Sequence, residues 1–242
     1  MDELTPGLFR RRMVAADDGR RCTAAVEDDF HHMTVWLEHD GARVLAIGGA
    51  LPRHPWNTCP GSVAVLSREL TGMALSTRIW DLPDTVHAKL NCTHLLDTAL
   101  LAIAQAARGG ERRYELQVPD PVDGRTSAVV LLGGREVFRL VLDGDIIVAP
   151  AALAGEDVRR VVPRALAVLD DDGIEWLVLL RRALTIAHRR RWLKPERPSA
   201  DQALQRMVGA CHSFQPAHAG LLAHASDRID VSGHPERFSV PA

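Results

Sequence analysis

The stretch "YELQVPDPVDGRTSAVVLLGGREVFRLVLDGDIIV", residues 114 to 148, decides the fold class. Its aliphatic and β-branched runs are interrupted at Asp123-Gly124, Gly133-Gly134 and Asp143-Gly144. Gly adopts positive φ without steric penalty and Asp tolerates it, so each pair predicts a tight reversal. Reversals spaced about ten residues apart predict an antiparallel meander of four strands. Toward the N-terminus, residues 20 to 50 also read as strands, with "HHMTVWLEHDGARVLAIGG" forming a hairpin that turns at Asp40-Gly41. Residues 51 to 61, "LPRHPWNTCPG", carry Pro52, Pro55 and Pro60, which fix a non-helical loop. "SVAVLSREL" then predicts a helix with Ser62 as N-cap, ending at Gly72. Residues 89 to 108 predict a second helix, closed by Gly109-Gly110.

Beyond Pro150 the pattern turns helical. "EDVRRVVPRALAVLDDD", "GIEWLVLLRRALTIAHRRRW" and "SADQALQRMVGAC" predict three helices separated by acidic-Gly and Pro-rich joints. Strands first and helices last give an α+β fold: an antiparallel sheet of N-terminal hairpins plus a four-strand meander, packed with helices, and a mostly helical C-terminal third. Residues 1–150 are expected to hold the sheet and two helices. Residues 151–230 are the helical portion packed on it in one compact domain, and 231–242 form a tail that lacks periodicity and is expected to be mobile.

A chain of 242 residues can bury a substantial core without staples, and 46% hydrophobic with 25% charged residues is ordinary for a globular protein. The net charge of −2 gives no reason to expect nucleic acid or an anionic membrane as partner. Arg10-Arg11-Arg12 and Arg189-Arg190-Arg191 are short runs, read as solvated faces or helix ends. No apolar run reaches the roughly 18 residues of a membrane span. "MDELTPGLFRRR" has acids first and no apolar core, so it is not a secretory signal. Cys22, Cys59, Cys92 and Cys211 are scattered with no CxxC, which reads as free thiols and a cytoplasmic location.

Four short stretches carry chemistry. In "NCTHLLD", residues 91 to 97, Leu95, Leu96, Ala99, Leu100 and Ile103 form the apolar stripe of the second helix. Cys92 falls toward that stripe, whereas His94 and Asp97 share the other side, three residues apart and within reach. A carboxylate beside an imidazole fixes its tautomer and raises its basicity, as a general base requires. In "PWNTCPG", residues 55 to 61, Cys59 precedes a helix N-terminus that would stabilise a thiolate. "GACHSFQP", residues 209 to 216, places Cys211 and His212 before an aromatic Phe214. In "EDDFHHM", residues 27 to 33, strand alternation sends His31 and His32 to opposite faces, so only one of them can serve a given pocket. The scattered cysteines lack the close pairing of structural zinc ligands, and no GxGxxG, P-loop, HExxH or GxSxG motif occurs. Each of these side chains also has a plainer reading as a helix-start, turn or core residue.

Taken together, "EDDFHHM", "PWNTCPG", "NCTHLLD", "VDGR" and "CHSFQP" resemble an uncharacterised bacterial family known only as a domain of unknown function, over roughly residues 20 to 230. Members are often encoded among genes for breakdown of aromatic or acyl compounds, which implies a small-molecule enzyme. The protein is also similar to bacterial lyases that release formaldehyde from lignin-derived aromatic dimers of the phenylcoumaran type. That resemblance implies functional roles for His31, Cys59, Cys92, His94, Asp97 and Cys211, and leaves Cys22 outside the motifs.

The resulting expectation is a cofactor-independent C–C lyase, with no bound metal, that releases formaldehyde from a small hydroxylated aromatic. A base takes the hydroxyl proton and a para-phenol accepts the electrons of the broken bond. His94 oriented by Asp97 is the expected base, and His31 or His32 handles the phenol proton. Trp36, Trp56, Thr58, Cys92, Thr93, Cys211 and Phe214 are the expected substrate-binding wall. The alternatives are a thiol- or metal-dependent acyl hydrolase with Cys59 as nucleophile or ligand, and a non-catalytic binding or accessory protein. A small aromatic substrate is the expected partner, and a homodimer is compatible with the sequence.

Overall fold

Alternation of buried and half-exposed side chains in "LFRRRMVAAD" builds the central strand, β1 (Leu8–Asp17). Phe9, Arg11, Met13 and Ala15 point into the core, and their neighbours point away. The structure, a computed structural model, describes residues 7–192 and 199–240, with the side chains of 189–192 excepted. The N-terminal "MDELTP" and the side chains of Arg189-Arg190-Arg191 lie outside the described residues.

β2 (Arg21–Glu27), β3 (His32–His39) and β4 (Val44–Arg53) extend the sheet on one side of β1. β5 (Gly110–Pro119), β6 (Arg125–Leu132), β7 (Arg135–Asp143) and β8 (Ile146–Ala149) extend it on the other. The order is β4-β3-β2-β1-β5-β6-β7-β8, antiparallel throughout. Two four-strand meanders are therefore fused along β1 and β5, which pair from Leu8↔Pro119 to Asp17↔Gly110. The second meander turns at the predicted pairs, with Asp123 and Gly124 at φ 49 and 82 and Gly133 and Gly134 at φ 57 and 81.

Helix α1 (Ser62–Leu70) packs against β4, and α2 (Thr93–Arg108) lies across β1, β2 and β3. After the second meander come α3 (Val162–Val168) and the long α4 (Asp171–Trp192), which lies on β5 and β6. α2 and α4 cover the same face, because Met13 pairs directly opposite Tyr114 and both are buried. Glu175 of α4, fully buried, ties the layers together. It accepts from Tyr114 Oη at 2.6 Å and pairs with Arg108 at 2.6 Å and Arg112 at 3.2 Å. Helix α5 (Ala200–Met207) starts at a capping box in which Ser199 and Gln202 cap one another.

The α+β class stands, and four details of the sequence reading change. Arg10-Arg11-Arg12 is neither a solvated face nor a helix end. It lies in β1, where Arg10 and Arg12 face Glu115 on the outer side and Arg11 is 1% exposed in the core. Ser62 is not an N-cap; it lies inside α1 and its hydroxyl donates to the Cys59 carbonyl at 2.7 Å. The first C-terminal helix is only seven residues, because Pro163 suits its first turn and the preceding segment is turn. Finally, 231–240 is a strap rather than a mobile tail. The buried Asp29 carboxylate accepts from Val231 and Ser232 N–H at 3.1 and 2.9 Å, and Glu27 accepts from Ser239 and Val240 N–H at 2.6 and 3.1 Å. Val231, Ser232 and Val240 of the strap are themselves buried.

Candidate active site

Residues 28 to 31 form the reversal between β2 and β3, closed by Asp28 N–H donating to the His31 carbonyl at 2.9 Å. The fully buried Asp28 is its hub. Its Oδ1 accepts the Phe30 and His31 amides at 2.9 and 3.0 Å and lies 2.9 Å from His31 Nδ1, while Oδ2 accepts Arg11 Nη1 at 2.7 Å. Arg53 clamps the same turn through the Asp28 carbonyl at 2.6 Å and Glu27 at 3.0 Å. Burial alone would raise the Asp28 pKa, but the His31 and Arg11 partners and the amides outweigh it and hold the carboxyl well below its ordinary value. With Asp28 ionised, the 2.9 Å contact requires the His31 proton on Nδ1, which leaves Nε2 as the ring's basic atom.

His31 opens into a cavity of about 510 Å³. The four sequence motifs meet around it. "EDDFHHM" contributes Phe30, His31 and Met33; "PWNTCPG" contributes Pro55, Trp56 and Cys59; "NCTHLLD" contributes Cys92, Thr93 and His94; and "CHSFQP" contributes Cys211 and Phe214. The rings of His31 and His94 are in contact, with centroids 3.9 Å apart. Trp56 stacks on His224 at 4.5 Å and meets Phe214 edge-on at 5.5 Å. This roof is sewn to the rest by backbone and side-chain bonds. Asn57 N–H donates to the Ala223 carbonyl at 3.0 Å, Ala225 N–H to Pro55 at 3.1 Å, and His212 N–H to Asn91 at 2.9 Å. Cys59 Sγ sits 3.2 Å from the buried Ser213 hydroxyl. Ser213, Arg182, Arg206 and Arg228 were not singled out by the sequence, since none stands in a spacing that signals chemistry.

Several expected site residues lie elsewhere. His32 and Trp36 are on the outer face of β3, because the pleat sends alternate side chains to opposite sides. His32 Nδ1 lies 3.4 Å from Ser239 Oγ, and Trp36 lies against Gly48, where an added Cβ would fall 2.6 Å from its ring. Thr58 starts the single 3₁₀ turn Cys59–Gly61, gives its carbonyl to Gly61 N–H at 3.1 Å, and does not reach the cavity lining. Asp97 also stands behind the lining. Its carboxylate engages Arg182 of α4, with Nε–Oδ2 2.6 Å and Nη2–Oδ1 3.4 Å. The carboxylate that engages the His31 imidazole is Asp28, while the Asp97 carboxylate engages Arg182. Cys92 and His94 do share the cavity, because Cys92 is the extended N-cap of α2 and precedes the helical wheel that separates them.

The Cys59 and Cys92 thiols are not activated. Burial pushes Cys92 up to about 12 and raises Cys59, despite its hydrogen bond to Ser213, so the short turn ahead of α1 does not produce a thiolate. Cys22 lies in the core of β2, away from the cavity. No cluster of three or more His, Cys, Asp or Glu side chains is arranged to hold a metal ion among the described residues. Among them, too, no helix is long and apolar enough to cross a membrane.

No family model and no curated protein matches the sequence. Among solved structures, one match is a crystal structure of a viral glycoprotein, at 11% identity and a TM-score of 0.23. It covers 76% of this chain and 54% of that chain. This protein therefore spans about half the length of the glycoprotein, and at that TM-score the likeness carries no argument.

Proposed function

We propose that this protein is an acid/base lyase that releases formaldehyde from a small hydroxylated aromatic alcohol. The observation that carries the reading is the His31–Asp28 pair, in ring contact with His94, at the wall of an apolar cavity of about 510 Å³. Cavities of roughly 300–1,000 Å³ with a few convergent polar groups suit small organic ligands. Phe30, Trp56 and Phe214 supply flat apolar contact for an aromatic ring.

The chemistry balances without an oxidant. In a para-phenol that bears a benzylic aryl ether and a neighbouring CH₂OH group, loss of the phenolic proton expels the aryl oxide and forms a quinone methide. A base then takes the hydroxyl proton, and the C–C bond to the carbinol breaks. Its electron pair restores the aromatic phenolate and leaves an alkene conjugated to the ring, while CH₂=O departs. The aryl oxide takes up one of the released protons. His31, held by Asp28, is assigned to the hydroxyl proton and His94 to the phenol or the aryl oxide. Proton transfer by such positioned groups is worth on the order of 10²–10⁴-fold. The raised thiol pKa of Cys59 counts against a thiolate nucleophile and so against the acyl-hydrolase alternative.

The test is a trapping assay for formaldehyde across para-hydroxylated aromatic alcohols with and without a benzylic aryl ether. The reading expects stoichiometric aldehyde and alkene from the ether-bearing members. Silence across the series, with the same compounds bound, would make the protein a binder and not a lyase.

A further inference from the structure

We infer that Arg11 is a positioning residue for the His31 imidazole: acting through Asp28, it sets how readily His31 takes a proton, and Asp97 tempers Arg11 in turn. This rests on the reading of His31 as the base of the cavity and adds what tunes it. Five ionisable groups, His31, Asp28, Arg11, Asp97 and Arg182, follow one another through the protein. His31 Nδ1 lies 2.9 Å from Asp28 Oδ1, and Asp28 Oδ2 accepts Arg11 Nη1 at 2.7 Å. Arg11 also stands in the field of Asp97, which accepts Arg182 Nε at 2.6 Å. The row begins and ends at cavity-wall residues, His31 and Arg182, while Asp28, Arg11 and Asp97 stay behind the lining.

Arg11 is a costly way to hold a strand in place. It is 1% exposed, and its Nε and Nη2 find no hydrogen-bond partner among the described residues. Buried donors left unpaired cost stability, and apolar residues often replace a buried ion pair without loss. The charge does what an apolar side chain cannot. Asp28 alone would draw a proton onto His31, because a carboxylate at 2.9 Å favours the imidazolium, and an imidazolium cannot act as a base. Arg11 on the other carboxylate oxygen opposes that pull. The other titratable or charged groups about His31 are His94 of α2, Arg182 of α4, Arg228, the buried Cys59 and Cys92 thiols, and Arg53, which donates to the His31 carbonyl at 3.3 Å. Of the neighbouring carboxylates, Glu27 is taken up by Arg53 and Asp29 by the strap amides, and no Asp or Glu reaches the lining. Asp28 is therefore the carboxylate that meets the His31 ring, and Arg11 is its counter-charge.

Proton–nitrogen correlation NMR of the full-length protein through a pH titration tests this, with the His31 ring identified by the signals that His31→Gln removes. Arg11→Met is expected to raise the His31 midpoint by about one pH unit or more, since the positive charge beside Asp28 is gone. The His31–Asp28 pair takes up its proton more readily whichever partner carries it. Arg11→Lys keeps the charge and returns most of that shift. Asp97→Asn moves the midpoint the other way, downward and by less, because Arg11 and Arg182 both lose a counter-charge. A residue that only filled space would not sort these variants by charge. A His31 midpoint unchanged or lowered in Arg11→Met, or an Arg11→Lys protein that titrates like Arg11→Met, overturns the inference. Should Arg11→Met not fold, an unchanged or raised midpoint in Asp97→Asn overturns it instead. The two readings separate cleanly. A displaced midpoint in a protein that releases no formaldehyde keeps this inference and removes the lyase, whereas formaldehyde release with a fixed midpoint does the reverse.

Discussion

Asp28→Asn is the substitution through which the site's construction can be weighed. The carboxylate is fully buried and accepts Arg11 Nη1 at 2.7 Å and two backbone amides at 2.9 and 3.0 Å, and it holds His31 Nδ1 at 2.9 Å. An amide keeps the size and can still accept through one oxygen. Its NH₂ group then faces either Arg11 or His31, both donors, and the Arg11 charge stays buried without its counter-ion. Breaking a buried pair from one side costs about 3–5 kcal/mol, a large share of a stability of about 5–15 kcal/mol. The pH dependence has a definite sign. The folded carboxyl titrates below its ordinary value of 3.8, so its stabilising effect is fully present above about pH 4 and fades as the pH falls further below. Urea unfolding should therefore show the full loss at pH 7 and a narrowing gap between wild type and variant below pH 4. Should the single variant fail to fold, the paired change Arg11→Met with Asp28→Asn removes both charges and should restore a folded protein. A loss under about 1 kcal/mol at pH 7, or a gap unchanged between pH 7 and pH 3, would refute the assignment of Asp28 as the buried hub.

Two further outcomes follow from the same geometry. Iodoacetamide at neutral pH should label Cys211, the most exposed of the four thiols, first, and reach Cys22 and Cys92 only on unfolding, because burial pushes both up to about 12; early labelling of Cys92, read by peptide mass spectrometry, would contradict this. Glu27→Ala removes the acceptor of the Ser239 and Val240 amides, so hydrogen exchange across 231–240 should accelerate while that of α2 stays slow, with a stability loss of about 1–3 kcal/mol; unchanged exchange in the strap would contradict it.

Much of the fold was legible because its signals are local. Gly-containing reversals mark the second meander, and the apolar stripe of α2 is continuous from Leu95 to Ala106. β1 was not legible. Its inward positions include Arg11, and a triple-arginine run reads as solvated unless the partner Asp28, seventeen residues away, is already placed. The strap was illegible for a related reason: the carboxylates of Glu27 and Asp29 hold it, and no periodicity of its own marks it. The motifs that line the cavity stood out as unusual residue types, but their partners did not. Asp97 and Asp28 each lie three residues from a histidine, and spacing alone favoured the helical pair. Tertiary contacts decide otherwise, since Arg182 arrives from α4 to take Asp97 while the turn at 28–31 folds His31 back onto Asp28. Alternation did separate His31 from His32, whereas Trp36 fell on the outer face by the same rule.

The role given to the His31 imidazole stands or falls on the initial rate of formaldehyde release by His31→Gln, measured against wild type. The substrate is a phenylcoumaran-type para-phenol bearing a CH₂OH group. The expected kcat is lower by about 10²–10⁴-fold with KM little changed, since the proposed role of the imidazole is to move a proton and not to hold the ring. A His31→Gln protein that releases formaldehyde at the wild-type rate would contradict it.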